Sequence, residues 1–374
     1  MNEIKLLVPD MPPAAALAPY LARVDAARWY TNFGPLVREL EERLGAHFAA
    51  DDRVATLASG TAALELALQA LGLPDGARVL LPDFTFVATA TAVMRSGCRP
   101  VVADVDPQSW LLTPEIARRA IAERPVDAVM PVATFGCPQD AEAWDRFSGE
   151  TGLPVVIDAA GAFGNQRAGR RAHVAFSLHA TKALGAGEGG FVVSRDAALI
   201  ERIRRLSNFG IDVSTGIVDR PGTNAKLSEY HAAVALAALE RWPERAAARR
   251  AQWRTFLELM PEQCPSVTAQ ARPVGGAYTI APVLLPAAVE PVAVIEALAR
   301  AGVQSRRWYC PPLSHHPGFA AVERAGPREG VKAVSGRVLG VPFHLELTRA
   351  DLGRVFGMLR RAIAGGTGGG AWRS

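Results

Sequence analysis

The sequence predicts an α/β protein: a mostly parallel central sheet covered by helices, followed by a smaller α/β C-terminal domain. Three observations carry this. From Arg53 onward, short β-branched apolar runs alternate with helical patterns, as in βαβ units whose strands are buried on both faces. Near Arg241-Trp242-Pro243 the composition shifts, and a second set of helical and strand patterns begins. The chain has 374 residues, 49% of them apolar, which is more than one hydrophobic core usually holds.

A proline-containing arm, residues 8–13, leads into an amphipathic helix at about residues 14–29. A second helix follows Pro35, with Leu36, Leu40, Leu44 and Phe48 spaced along one face. Strands are expected at 54–58, 79–81, 101–103, 128–132 and 154–157, with helices between them at about 62–71, 85–96, 114–123 and 140–149. Two further strands follow at 174–178 and 190–194, then a basic amphipathic helix at 197–207. A loop of glycine and polar residues, 211–224, is long enough to be functional, and an alanine-rich helix at 227–239 follows it. Past the composition shift, a long helix bearing Arg245, Arg249 and Arg250 leads to a strand at 277–284, a helix at 291–301, a strand at 303–309 and a closing helix at 349–364. This divides the chain into an arm and helix (1–34), a large domain (35–242), a small domain (243–364) and a glycine-rich tail (365–374) expected to be disordered.

Composition removes several function classes. The formal net charge is only +4, and no Lys/Arg cluster carries interleaved aromatics, so nucleic acid is not an expected partner. Cys98, Cys137, Cys264 and Cys310 are scattered with no CxxC pair, which suggests reduced thiols and a cytoplasmic location. No metal site is expected: His315 and His316 are adjacent and point different ways, and no acidic cluster accompanies them. Prolines interrupt the N-terminus too early for a signal peptide, and no apolar run reaches membrane-spanning length.

The chemistry concentrates on Ser177-Leu178-His179-Ala180-Thr181-Lys182 and the glycine-rich run after it. A lysine in such a weakly polar stretch is kept reactive, because desolvation disfavours the ammonium, and it can form a Schiff base. Asp158 ends the apolar run Val155-Val156-Ile157, where a buried carboxylate needs a partner. The protonated ring nitrogen of pyridoxal phosphate is such a partner, and its pairing with an Asp keeps the ring an electron sink. Ser59-Gly60-Thr61, between a strand and a helix, supplies a phosphate site: Gly60 admits an anion to the backbone, the helix N-terminus attracts it, and Thr61 adds a hydroxyl. Taken singly, each of these has a plainer reading, as a surface lysine, a capping Asp and a helix N-cap.

Together with further blocks, these residues resemble the DegT/StrS family of pyridoxal-phosphate-dependent sugar aminotransferases. The matching blocks are Trp29-Tyr30-Thr31-Asn32-Phe33-Gly34-Pro35, Ala58-Ser59-Gly60-Thr61, Pro82-Asp83-Phe84-Thr85-Phe86, Asp158-Ala159-Ala160, Ser177 to Lys182, Gly187-Glu188-Gly189-Gly190 and Gly222-Thr223-Asn224-Ala225-Lys226. The resemblance implies the fold type I of pyridoxal-phosphate-dependent transferases, with residues 35–242 as the cofactor-binding domain. It implies an obligate homodimer with shared active sites, in which Asn224 reaches the partner's cofactor phosphate. It makes Lys182 the cofactor lysine and proton carrier, Asp158 the partner of the ring nitrogen, and Phe86 a ring stacked on the cofactor. Gly60, Thr61, Ser177 and Asn224 become the phosphate anchors.

By the same resemblance the substrate is a nucleotide-linked keto-deoxysugar, a 4-keto-6-deoxyhexose above all, with glutamate as the amino-acid donor. His179, Glu188, Arg306, Arg307 and Tyr309 are the candidate substrate residues, the arginines for a diphosphate. The chain departs from the family pattern at Gly161, where many members carry His or Gln, and at Cys310, where an aromatic is commoner. Two alternatives stay open: transamination of another ketone such as a cyclitol, and a non-catalytic regulator that senses pyridoxal phosphate or a sugar.

Overall fold

The computed structural model describes residues 3–366. An extended arm enters α1 (Ala14–Ala27) and α2 (Pro35–His47). The helix α2 starts at a proline, which suits its first turn, where an N–H has no intrahelical partner. The buried Glu229 carboxylate accepts the next two donors, Leu36 N at 2.8 Å and Val37 N at 2.9 Å. A Cβ on Gly34 would lie 2.6 Å from Glu229 Cδ, so the Gly34-Pro35 pair is dictated by this cap.

The alternating region then runs β1 (Arg53–Leu57), α3 (Gly60–Ala70), β2 (Arg78–Pro82), α4 (Val87–Arg95), β3 (Arg99–Ala103), α5 (Pro114–Glu123), β4 (Ala128–Val129), α6 (Ala141–Thr151), β5 (Val156–Asp158), β6 (His173–Ser177), β7 (Gly190–Ser194) and α7 (Ala197–Ser207). After it come α8 (Glu229–Gln263), β8 (Thr268–Ala269), β9 (Ala281–Leu284), α9 (Pro291–Arg300), β10 (Arg306–Arg307), β11 (Glu323–Arg324), α10 (Glu329–Val334), β12 (Val338–Val341) and α11 (Arg349–Gly366).

Two sets of strands, β11-β3-β2-β4 and β5-β6-β7-β1, are joined by parallel bridges between Val129 and Val155 and between Val132 and Asp158. Only β7 runs against the rest: it is antiparallel to both β6 and β1, so those two point the same way. Side chains alternate across this sheet with period two. Leu80, Val155, Ile157, Val174 and Phe176 face one core under α1, α2 and α8, while Val79, Leu81, Val156 and Ala175 face another under α3, α4 and α7. A third core forms around the antiparallel sheet β10-β12-β9-β8 with α9, α11 and the end of α8.

The structure corrects several expected elements. The helices expected on either side of residues 241–243 are one helix, α8, which continues through Pro243. Loss of one backbone bond there is outweighed by packing, since Trp242 and Ala246 are buried and Trp242 meets Phe163 edge-on at 4.8 Å. Of the strand expected at 303–309, Val303 makes a single parallel bridge to Ile4 and Arg306–Arg307 pairs with β12; the chain then turns through Tyr309, whose φ is +50°. The strand expected at 277–284 is ladder-bonded only from Ala281. The helix α10 and the strand β12 were missed. Two backbone N–H groups of α10, Gly330 at 3.0 Å and Val331 at 2.7 Å, are capped by the distant Asp104, a cap no local pattern reveals. Gly365 and Gly366, assigned to the tail, belong to α11; the rest of the tail, 367–374, lies outside the described residues.

Candidate active site

Because β1, β2, β5 and β6 run in one direction, their C-terminal ends share one edge of the sheet, where ligands of α/β folds bind. That edge collects Ser59-Gly60, Phe86, Asp158 and the segment 177–182.

At the head of α3, Ser59 Oγ accepts from Ala62 N at 3.1 Å, and Gly60 is the first helical residue. A Cβ on Gly60 would stand 2.7 Å from Ser177 Cβ and 3.1 Å from Ser177 Cα. One on Gly190 would stand 2.5 Å from Ser59 O and 2.7 Å from Gly60 N. Three chain segments therefore meet with room for glycine alone, which sets Ser177 against the first turn of α3, whose N–H groups attract an anion.

Asp158 is 5% exposed. Its Oδ2 accepts from Thr89 Oγ1 at 2.8 Å and its Oδ1 from Ala160 N at 3.1 Å; Thr89 in turn is 3.0 Å from Thr85 Oγ1. Burial pushes the carboxyl above the usual carboxylate range, opposed by the Thr89 and Ala160 bonds and by the charge of Lys182. Burial around the Lys182 amine lowers its pKa, and Asp158 works against that shift. The two groups are thus poised against each other in a poorly solvated space.

A compact loop carries the lysine. Lys182 N donates to His179 O at 2.8 Å, Ala180 N to Gly187 O at 2.9 Å and Ala186 N to Leu178 O at 2.7 Å. Gly187 (φ +85°) and Gly189 (φ +145°) make the return, a path that side chains resist. On its outer side His179 Nδ1 lies 2.9 Å from Thr181 Oγ1, and its Nε2 lies 3.8 Å from Glu188 Oε1.

Aromatic rings frame the opening. Phe86, the residue before α4, is 55% exposed despite its size. Tyr309 lies flat on Phe135, with centroids 4.6 Å apart and an interplanar angle of 5°. Both hold left-handed backbone, φ +50° and +55°, a strain that packing must sustain. Burial and the charge of Asp158 raise the Tyr309 phenol well above its ordinary value, so it stays protonated. The Phe135-Gly136 turn abuts Gly161: a Cβ on Gly136 would lie 2.8 Å from Gly161 O. Arg306 stacks on Trp308 at 4.9 Å, while Arg307 Nη2 donates to Cys310 Sγ at 2.6 Å, which gives the unusual cysteine a partner.

The structure therefore brings Gly60, Thr61, Phe86, Asp158, Ser177 and Lys182 to one edge, with His179, Glu188 and Tyr309 at its border. Asn224 stands apart. It is exposed, and its Oδ1 accepts from Lys226 Nζ at 2.9 Å. Sequence reasoning missed the role of Thr89 and Thr85, although their spacing of four places two hydroxyls on one face of a helix start. It also missed Phe135. A larger hollow of about 460 Å³ beside α2 and β1 contains none of these residues, and two of its charges pair with each other, Arg204 Nη2 to Glu41 Oε2 at 2.8 Å.

The residues fit pyridoxal phosphate: a helix N-terminus with Gly60 pressed against Ser177 for the phosphate, a buried carboxylate for the ring nitrogen, and an amine that burial shifts toward its neutral form. Residues 14–360 match the model of the DegT/DnrJ/EryC1/StrS aminotransferase family. The chain is 32% identical to UDP-2-acetamido-2-deoxy-3-oxo-D-glucuronate aminotransferase of Pseudomonas aeruginosa, over 85% of this chain and 88% of that protein. It is 28% identical to dTDP-4-amino-4,6-dideoxy-D-glucose transaminase of Escherichia coli, over 93% of this chain and 96% of that protein. Its fold is similar to that of DesI, crystallised in the presence of its TDP-sugar product, with a TM-score of 0.87 and 32% identity over 98% of this chain and 94% of that one. The chain belongs to the DegT/DnrJ/EryC1/StrS aminotransferase family and is a pyridoxal-phosphate-dependent transaminase.

Proposed function

We propose that this enzyme moves an amino group from glutamate to the keto carbon of a nucleotide-linked deoxysugar, a 4-keto-6-deoxyhexose above all. The observation that carries the reading is the opposition of Lys182 and Asp158, each shifted by burial toward its neutral form and each countering the other's shift. The sugar class rests on the substrates that the relatives' names state, at C-3 in one and C-4 in the other.

Pyridoxal phosphate, when bound, supplies a sink for the electron pair left when a proton leaves the amine-bearing carbon. Lys182 would hold the cofactor and then, as an amine whose pKa burial lowers, take that proton and return it. Asp158 keeps a proton on the ring nitrogen, its own charge sustained by Thr89 Oγ1 and Ala160 N. Gly60, Thr61 and Ser177 anchor the phosphate, and Phe86 covers one face of the ring. At the rim His179 and Glu188 orient the sugar, while Arg306 and Arg307 meet the diphosphate and Tyr309 closes the pocket. The chain acts as a cytoplasmic homodimer, with Asn224 completing the partner's phosphate site. Exposed apolar side chains on and beside its loop support an interface there: Phe209, Val213, Ile217 and Val218.

Borohydride trapping of the cofactor-loaded enzyme, followed by peptide mapping, tests the central assignment. The tag is expected on Lys182, and Lys182→Ala is expected to lose the half-reaction with glutamate. A tag on another lysine, or unchanged turnover in the variant, overturns it.

A further inference from the structure

The N-terminal arm is pinned at two points. Ile4 N donates to Gly302 O at 2.8 Å, and Gln304 N donates to Ile4 O at 2.9 Å; Phe343 N then donates to Leu6 O at 3.2 Å. Among the described residues, no backbone hydrogen bond holds residues 7–10. This free stretch passes Lys182 and lines a cavity with it, together with Arg249, Thr279 and His344.

Asp10 lies here among three arginines. Its carboxylate is 3.4 Å from Arg249 Nη2, 3.5 Å from Arg245 Nε and 3.8 Å from Arg241 Nη2. All three are longer than the ~2.7–2.9 Å of a good charge-assisted bond, and three guanidinium groups share one carboxylate. Arg249 is 4% exposed, and its Nε is buried without a hydrogen-bond partner among the described residues. His344 is buried too: its Nε2 lies 3.1 Å from Lys5 O, and its Nδ1 has no partner. A buried guanidinium paired this loosely is costly unless something better occupies the place.

We propose that Arg249 and Arg245 form the carboxylate subsite of the amino donor, and that Asp10 is an internal carboxylate which the donor displaces. The inference rests on the aminotransferase reading above. Position selects the ligand. The α-carboxylate of an amino acid is bonded directly to the carbon that reacts, so it must lie close to the cofactor lysine, and Lys182 is among the residues that line this cavity. The diphosphate of a nucleotide sugar is separated from its keto carbon by the sugar ring and belongs farther out. Size selects the displacement: the cavity measures about 10 Å³, the room of one water molecule, so a carboxylate enters only as Asp10 and the unpinned stretch around it withdraw. His344, donating through Nε2 to Lys5 O, lines the same cavity.

The test is succinate binding to the cofactor-loaded enzyme, followed by the cofactor's absorption, together with the rate of the glutamate half-reaction. Arg249→Gln is expected to weaken succinate about ten- to hundredfold, the worth of one bond to a charged group. It should slow the glutamate half-reaction in step and leave nucleoside diphosphate affinity within about twofold. Asp10→Asn should tighten succinate by removing the competing charge. The half-exposed Arg245→Gln, expected to weaken succinate, carries the test should Arg249→Gln fail to fold. Normal cofactor absorption with succinate affinity unchanged in the Arg245, Arg249 and Asp10 variants overturns the subsite alone, as does a loss of diphosphate binding instead of succinate binding. Failure of the wild-type enzyme to load cofactor on a lysine overturns the reading beneath it as well.

Discussion

Thr89→Val tests how the charge on Asp158 is held. Valine matches threonine in shape, so the change removes one hydroxyl and little else from a fully buried position. That hydroxyl donates to Asp158 Oδ2 at 2.8 Å, one of two hydrogen bonds on the carboxylate among the described residues; the other is Ala160 N at 3.1 Å. A hydrogen bond to a charged group is worth about 1.5–3 kcal/mol, so its loss should raise the Asp158 pKa further. The shift adds to the one that burial already imposes. A carboxyl closer to neutral holds the ring-nitrogen proton less well, and turnover should fall about 10- to 100-fold with KM for the sugar little changed. Thr85 loses its partner in the same variant, so a thermal melt must accompany the kinetics. A Thr85→Val control, which leaves the Thr89–Asp158 bond in place, should keep most of the activity. Wild-type turnover in Thr89→Val, or an equal loss in Thr85→Val, would refute the reasoning.

Other outcomes follow from the same geometry. Gly60→Ala puts a Cβ 2.7 Å from Ser177 Cβ, and overpacking of this kind costs about 1–3 kcal/mol; cofactor affinity measured by dialysis should drop at least about fivefold, and an unchanged affinity rejects this phosphate site. His173 is held neutral by burial, with its pKa lowered to about 4 and its Nδ1 2.7 Å from Ser194 Oγ. Its folded pKa lies below the ordinary value of about 6.5, so its contribution is complete above that pH and fades as pH falls toward 4, by about 3 kcal/mol in all. Denaturant melts across that window should show the loss in the wild type and a shallower one in His173→Gln; equal slopes would remove His173 as the cause. Mixing Lys182→Ala and Asn224→Ala chains should restore activity, because one site of each mixed dimer is then wholly native, about a quarter of all sites after random exchange. No recovery from demonstrably mixed dimers would place Asn224 outside the partner's site.

How far the sequence could be read depended on the range of the interaction. Strands 190–194 and helices 114–123 and 197–207 end where their patterns end, because local apolar spacing and nearby caps fix them. Asp158 and the Ser59-Gly60-Thr61 turn lie where the sequence puts them because one closes a strand and the other opens a helix of the sheet, and Lys182 follows in the loop after β6. What stayed hidden depends on contacts far apart in the chain. The cap of α10 by Asp104 spans 226 residues, and the bonds of Ser314 to Asp83 span 231. The left-handed turn at Tyr309 is selected by stacking on Phe135, which no local propensity encodes.

The same long-range logic explains why the site draws on both ends of the chain. The sheet edge alone offers the head of α3, Asp158 and Lys182, but it is open on the side where substrates arrive. Asp83, buried at the end of β2, accepts from Ser314 N and Ser314 Oγ, each at 2.8 Å, and pairs with Arg328, which ties the C-terminal segment to the sheet. The N-terminal arm is in turn bonded to that half of the chain through Ile4 and Leu6. Tyr309, whose phenol feels the charge of Asp158, and Asp10, which lines a cavity with Lys182, therefore come from elements whose positions are coupled to each other. A change that loosens Asp83 from Ser314 should be felt at both, which is why substrate selection in this enzyme is expected to depend on residues that never touch the cofactor.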